Sequence, residues 1–243
     1  MDGIKKHTHQ ERMELVKRMV PQIQAKLGEN LRAIAIDGSC ARNADLDYSD
    51  LELIVFVENT TKLETTHEIA DGMLTVLVYE TKESYIQKYV DISDVWHASG
   101  SGGLLPIYNE EFIDAINAYK PTNISKKCRT QVKLRWSGYQ EITAKVLNAC
   151  LSKDSELLAL AFPKMVVELL IILSYANQTP YKTLGSYITQ AQTFKILPQG
   201  FTKLIDIYVR GEYANSGETK KIVEDIFTSM EHLLEIEYFR TLP

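Results

Sequence analysis

Gly38-Ser39-Cys40-Ala41-Arg42 and, after residues 43–48, Ser49-Asp50-Leu51-Glu52 form the stretch that decides the reading of this chain. Strand patterns flank it. Leu31-Arg32-Ala33-Ile34-Ala35-Ile36 is short, apolar and closed by Asp37-Gly38, and Leu51-Glu52-Leu53-Ile54-Val55-Phe56-Val57 follows downstream. Asp50 and Glu52 are two apart, so an extended backbone sends both carboxylates to one side. Carboxylates placed this way have little reason to face a hydrophobic core. A shared divalent cation would relieve their repulsion and the desolvation of their oxygens. The Gly38-Ser39 turn offers free backbone N–H groups and a hydroxyl beside that cation, which suits a phosphate. Metal and phosphate at the ends of adjacent strands make a layout for phosphoryl or nucleotidyl transfer.

The rest of the chain sets bounds on that reading. At 243 residues, 45% of them hydrophobic, it suits one large domain or two small ones. A net charge of −5 with no basic run argues against DNA or another extended polyanion as partner. Cys40, Cys128 and Cys150 are odd in number and lack C-x-x-C spacing, so neither a disulfide framework nor a zinc site is suggested, and a reducing cytoplasm fits best. The N-terminus has no apolar core of a signal peptide, and the apolar run 165–173 is interrupted by Glu168, so no membrane partner is expected.

Along the chain, Thr8 with Glu11 is a capping-box pattern that opens a helix to about Leu27, with Pro21 expected to kink it. A third strand is expected at 74–80, then short helices at 83–90 and 110–119. His97-Ala98-Ser99-Gly100-Ser101-Gly102-Gly103 reads as a mobile loop. After Lys120-Pro121-Thr122-Asn123 the pattern is helical throughout, over 126–151, 155–176, 183–194, 200–210 and 218–235. The fold class is therefore α+β. Residues 1–122 form a mixed sheet with flanking helices, and 123–243 a helical bundle. The second of those helices is apolar on more than one face, as a central bundle helix or one covered by a second subunit would be.

The chain resembles the kanamycin nucleotidyltransferase family. Gly38-Ser39 followed by Asp50-x-Glu52 matches the nucleotidyltransferase signature. Glu11-Arg12-Met13, Leu105-Pro106-Ile107-Tyr108, Glu141-Ile142-Thr143-Ala144-Lys145 and Tyr181-Lys182-Thr183 through Leu197-Pro198-Gln199-Gly200 extend the likeness over nearly the whole length. The resemblance implies transfer of AMP from ATP to an aminoglycoside hydroxyl, with two Mg²⁺ ions held by Asp50 and Glu52. It implies an obligate homodimer with composite sites, to which the partner subunit contributes Glu141 as general base. Lys145 would contact the nucleotide phosphates, with the acceptor held in a cleft between the domains.

Each candidate has a bland alternative. Asp50 and Glu52 could be exposed carboxylates on an edge strand, against which the Gly-Ser turn argues. Arg42 could be a surface charge, although its planar fork suits phosphate oxygens. Glu141 and Lys145 have the spacing of an ordinary helical ion pair. Asp47 reads as a solvated turn residue, His97 as a surface residue, and His7 and His9 as part of an unanchored terminus. Tyr175, Tyr181 and Tyr187 read as packing. The likeness also has gaps. The family's substrate-facing carboxylate on the third strand falls at Leu77, with Glu80 on the opposite parity, and a paired acid before the base is replaced by Ser137 and Gly138. Glu68 is the one acid of that substrate-binding wall retained. The sequence thus points to a Mg²⁺-dependent nucleotidyltransferase acting on a small-molecule hydroxyl. Adenylylation of a protein side chain and a degenerate nucleotide-binding protein are the rival readings.

Overall fold

The computed structural model describes residues 3–61, 63–100 and 102–234, and its contacts divide the chain into two compact units. The first comprises residues through Ile92 together with Ser99–Thr122. It opens with α1 (His9–Leu27), where the Thr8 hydroxyl accepts from the Glu11 N–H and the Glu11 carboxylate accepts from the Thr8 N–H. The helix is continuous through Pro21. His9 is thus in the first turn of an ordered helix, contrary to the unanchored terminus expected.

Five strands follow: β1 (Leu31–Asp37), β2 (Leu51–Val57), β3 (Thr66–Ala70), β4 (Met73–Glu80) and β5 (Leu105–Tyr108), with the four-residue helix α2 (Gly38–Ala41) between the first two. Their order in the sheet is β3-β4-β2-β1-β5, with β2 and β4 parallel and the other neighbours antiparallel. β2 is therefore the central strand, which removes the edge-strand alternative for Glu52. Alternation along the strands makes two cores. Ile34, Ile36, Leu51, Leu53 and Val55 pack beneath Leu15, Val16 and Ile23 of α1. Ala33, Ala35, Ile54, Phe56, Val76 and Val78 face the other way, onto Tyr85 of α3 (Lys82–Tyr85) and onto Ile113 and Ile116 further along the chain. Each fully buried Val, Leu, Ile or Phe among them contributes roughly 1.5–3 kcal/mol by leaving water.

Two strands were not foreseen. Thr66-His67-Glu68-Ile69-Ala70 carries no apolar alternation because it is an edge strand, and it joins β4 through Asp71 and Gly72, both with positive φ. Leu105-Pro106-Ile107-Tyr108 contains a proline, which only the other edge tolerates. The helix expected at 83–90 is α3 followed by a π turn at Ile86–Val90.

The second unit comprises Ser93–Ala98 and the chain from Asn123 onward. The glycine-rich tract begins not as a loop but within the short helix α4 (Trp96–Ser99), where Trp96 and His97 are buried; Ser101 lies outside the described residues. His97 faces the Tyr175 hydroxyl at 3.3 Å, and Tyr181 stacks on Tyr187 with ring centroids 4.1 Å apart. After α5 (Glu110–Asn117), which belongs to the first unit, come α6 (Ile124–Ser152), α7 (Ser155–Ala176), α8 (Tyr187–Ala191), α9 (Phe201–Arg210) and α10 (Ser216–Leu234). Glu235, placed in the last helix by its sequence, lies outside the described residues. By length and composition α7 could cross a membrane, but 61% of its most apolar window is buried inside the protein and it packs along α6. A bundle's central helix looks like this.

Candidate functional site

The site of the first unit is built at the ends of β1 and β2. Asp37 closes β1 and is the cross-strand partner of Glu52 in β2. Direct partners in an antiparallel pair project to one face, so the two carboxylates stand side by side. Asp50, two residues before Glu52, keeps the same side. Burial first, then the charges of Asp37 and Asp50, push Glu52 up to about 7. A half-buried carboxylate flanked by two others is an uncompensated negative centre. Its oxygen donors suit a hard divalent cation such as Mg²⁺.

Neighbouring groups fix Asp37. One of its oxygens accepts from the Gly38 N–H at 2.6 Å and the other from the Tyr85 hydroxyl at 3.1 Å. Tyr85 is itself held by an edge-on contact with Phe56, ring centroids 5.2 Å apart. Burial, then the Asp37 charge, push the Tyr85 hydroxyl well above its ordinary range, so it stays a donor. The Gly38 N–H is consequently not free, as the turn alone suggested; Asp37 has taken it. Gly38 has φ +72°, and a Cβ there would stand 3.6 Å from a Glu52 carboxylate oxygen. The conformation rather than crowding calls for glycine. Gly102 also lies here. A Cβ on it would be 3.8 Å from both Arg42 Nη1 and Asp37 Oδ1, and the Asn117 side chain brackets the adjoining Leu104 by bonds to its N–H and C=O, each 2.9 Å. Arg42 thus sits in the same corner as the carboxylates, and Ser39 follows Gly38 in the turn beside them.

The loop carrying Asp50 is held from behind. Arg12 of α1 is only 1% exposed, and its guanidinium pairs with Asp45 at 2.8 Å and donates to the carbonyls of His7, Leu46, Asp47 and Ser49. One planar fork therefore sets the path of residues 45–49, and with it the position of Asp50. Asp47 offers its carbonyl to this clamp while its exposed carboxylate pairs with Lys6 at 3.2 Å. Sequence reasoning missed Asp37, Arg12 and Tyr85 as contributors. Asp37 had a local signal, its parity with Ala33 and Ala35 at the end of β1; Arg12 had only its place in the Glu11-Arg12-Met13 likeness, which gave it no role, and Tyr85 had none.

Glu141 and Lys145 lie on α6 in the helical unit and pair with each other at 2.7 Å, as their spacing alone allows. The Lys145 ammonium, hydrogen-bonded to it, holds the exposed Glu141 carboxyl below the usual carboxylate range. Both line an open groove of about 390 Å³ along α6 and α7, with Arg135, Ser137, Lys164 and Glu168.

Residues 134–238 match the KNTase C-terminal domain. Over 233 residues the chain is 22% identical to an aminoglycoside nucleotidyltransferase (4') of a Bacillus species, covering 94% of this chain and 92% of that protein. The Staphylococcus aureus protein of the same name is 22% identical over 237 residues, with the same coverage. The chain is thus similar to the kanamycin nucleotidyltransferase family, by domain in its helical unit and by sequence over most of its length. It is a nucleotidyltransferase. The fold agrees with that of a nucleotidyltransferase-like protein from Exiguobacterium sibiricum, at a TM-score of 0.51 and 14% identity, over 92% of this chain and 74% of that one.

Measured against the kanamycin nucleotidyltransferase pattern, two substrate-binding expectations need correction. Leu77 does not face the carboxylates. The parallel register sets Val76 beside Glu52 and Leu77 beside Leu53, and Leu77 packs into the cluster beneath α1. Glu68 pairs with Thr75 and shares the Leu77 side, so it too is turned away from Glu52; His67, opposite Val76, is on the Glu52 side. Glu80 has the parity of Val76 after all. It lies opposite Phe56, four residues along from Glu52, where Lys88 holds it at 2.7 Å. The β4 positions nearest Glu52 on its own face are Leu74 and Val76, both apolar. β4 thus offers no carboxylate beside Glu52, and the third acid of this face comes from β1.

Proposed function

We propose that this enzyme transfers a nucleoside monophosphate, AMP from ATP, to a hydroxyl of an aminoglycoside, with Mg²⁺ as cofactor and pyrophosphate as the second product. The observation that carries the metal-dependent chemistry is the Asp37–Asp50–Glu52 cluster, whose central member burial and two like charges hold near neutral pKa. Asp50 and Glu52 would hold the two ions, with Asp37 as a third oxygen donor. When bound there, the ions would neutralise charge at the α-phosphate and orient the attacking and leaving oxygens. Gly38 and Ser39 would bind the β- and γ-phosphates, Ser39 through its hydroxyl and Gly38 once its N–H leaves Asp37, and Arg42, beside Gly102 and Asp37, grips phosphate oxygens bidentately. Lys145 adds positive charge for the transition state and Glu141 takes the proton of the acceptor hydroxyl. For both roles their mutual ion pair must open.

The acceptor class rests on the relatives named as aminoglycoside nucleotidyltransferases. The apolar Leu74 and Val76 beside Glu52 favour an acceptor with fewer ammonium groups on that side. Association as a homodimer with Glu141 serving the partner's site is supported by exposed apolar side chains on α6 and α7, Leu134 at 68% and Leu160 at 77% exposure. The deciding experiment is pyrophosphate release from ATP and Mg²⁺ across a panel of aminoglycosides and other hydroxylated antibiotics. Release that depends on one acceptor class supports the reading. ATP binding with no release for any acceptor would leave a nucleotide-binding protein instead. Mixing Asp50→Asn with Glu141→Gln subunits tests the composite site: restored activity supports it, and none after confirmed exchange places the site within one chain.

A further inference from the structure

We propose that His9, Cys40 and Asp45 form a binding site for a soft divalent transition-metal ion, zinc above all, separate from the Mg²⁺ site and tying α1 to the Gly-Ser turn and the Asp50 loop. Three segments meet here: the first turn of α1, the short helix α2, and the loop that Arg12 clamps. One candidate ligand atom from each lies within 4.8 Å of the others. His9 Nδ1 is 2.8 Å from Asp45 Oδ1 and 3.9 Å from Cys40 Sγ. Donors around a tetrahedral zinc stand roughly 3.3–3.6 Å apart, given metal–ligand bonds of about 2.0–2.3 Å. The two His9 distances therefore need to change by about half an ångström, the imidazole–carboxylate pair opening and the thiol closing in, while the Cys40 and Asp45 donors start within 4.8 Å of each other.

The donor chemistry selects the ion. Imidazole nitrogen, thiolate sulfur and a single carboxylate oxygen suit zinc or cobalt and are a poor match for magnesium, which takes oxygen. Asp45 is prepared for one-oxygen coordination. Its other oxygen accepts from Arg12, which supplies the outer hydrogen bond that orients a ligating carboxylate. Thiolate and carboxylate together cancel the ion's two charges, so Arg12 meets a neutral centre. Binding breaks the Cys40 S–H bond, forms a sulfur–metal bond and releases the proton to solvent. Cys40 is buried in the cluster beneath α1, on the side of the sheet away from Glu52, while the half-buried His9 ring leaves a route for the ion to enter. Three protein donors leave a fourth position for water.

The probe is Co²⁺ added to chelator-treated full-length protein. One equivalent should produce the thiolate-to-cobalt charge-transfer absorption and the intense visible bands of a four-coordinate ion. Cys40→Ser should abolish the charge-transfer band, and His9→Gln and Asp45→Asn should each weaken Co²⁺ binding at least tenfold. Asp50→Asn should leave the spectrum unchanged, which separates this site from the Mg²⁺ site. No band at saturating Co²⁺, or a band that survives Cys40→Ser, overturns the proposal. Should Cys40→Ser fail to fold, X-ray absorption at the zinc edge of the wild-type protein decides the matter. One sulfur at about 2.3 Å supports the site, and a shell of oxygen and nitrogen alone refutes it.

Discussion

Asp37 and Glu52 are direct cross-strand partners on two neighbouring interior strands of the sheet, one carboxylate beside the other. Like charges so placed work against the fold by roughly 0.2–1 kcal/mol. Asp37→Asn keeps the side-chain oxygen that accepts the Gly38 N–H while removing the charge, and its new amide NH₂ donates to the Tyr85 oxygen in place of the bond that Tyr85 donated. In the presence of chelator it should raise the melting temperature by about 2–4 °C, as roughly 1 kcal/mol does for a chain of this size. With Mg²⁺ and ATP the same variant should lose activity. A thermal melt with and without chelator reads both, and a variant less stable than the parent in chelator would show that the Asp37 charge is already compensated.

Asp50→Asn and Glu52→Gln remove metal-binding charge without removing volume. Each should lower turnover by far more than tenfold, the equivalent of about 1.4 kcal/mol of barrier, while circular dichroism stays that of the parent. Activity within tenfold in either variant would reassign the metal site.

Arg12→Met should destabilise the sheet-containing unit by about 3–5 kcal/mol, because it strands the buried Asp45 carboxylate and several carbonyls. Arg12→Lys should rescue little, since an ammonium cannot reproduce a planar fork that reaches the carbonyls of Leu46, Asp47 and Ser49. Urea unfolding of the two variants gives the comparison; equal stability of Lys and Arg would reduce the clamp to a simple charge.

His97 gives the helical unit an acid-sensitive stability. Burial, then the Arg135 charge, hold its imidazole down at about 4 against an ordinary 6.5. Above about pH 6.5 both folded and unfolded chains carry it neutral and nothing is lost. As pH falls from there toward 4 the unfolded chain binds the proton first, so stability drops, by roughly 2 kcal/mol at pH 5. Denaturant unfolding at pH 7.5 and pH 5 should show this loss, and His97→Gln should flatten it.

Leu77→Glu should destabilise the protein without tightening aminoglycoside binding, because the new carboxylate enters the cluster beneath α1. Titration calorimetry alongside a melt distinguishes this from a gain in affinity, which would mean that β4 pairs in another register.

The amino-acid sequence by itself determined the element types of most of the chain, the shared side of Asp50 and Glu52, and the helical pairing of Glu141 with Lys145. All of these follow from short-range periodicity, two residues per strand repeat and three or four per helical turn. It also carried the family likeness, whose motifs are short and ordered along the chain. Only the tertiary structure decided what lies across from what. Strand register put Asp37 beside Glu52 and turned Leu77 and Glu68 to the opposite face, and a one-residue difference in pairing reverses every side chain. The packing of α1 on the sheet brought Arg12 to a loop more than thirty residues away and gathered His9, Cys40 and Asp45 at one point. Such contacts depend on long-range pairing free energy, of which a window of neighbouring residues holds no record.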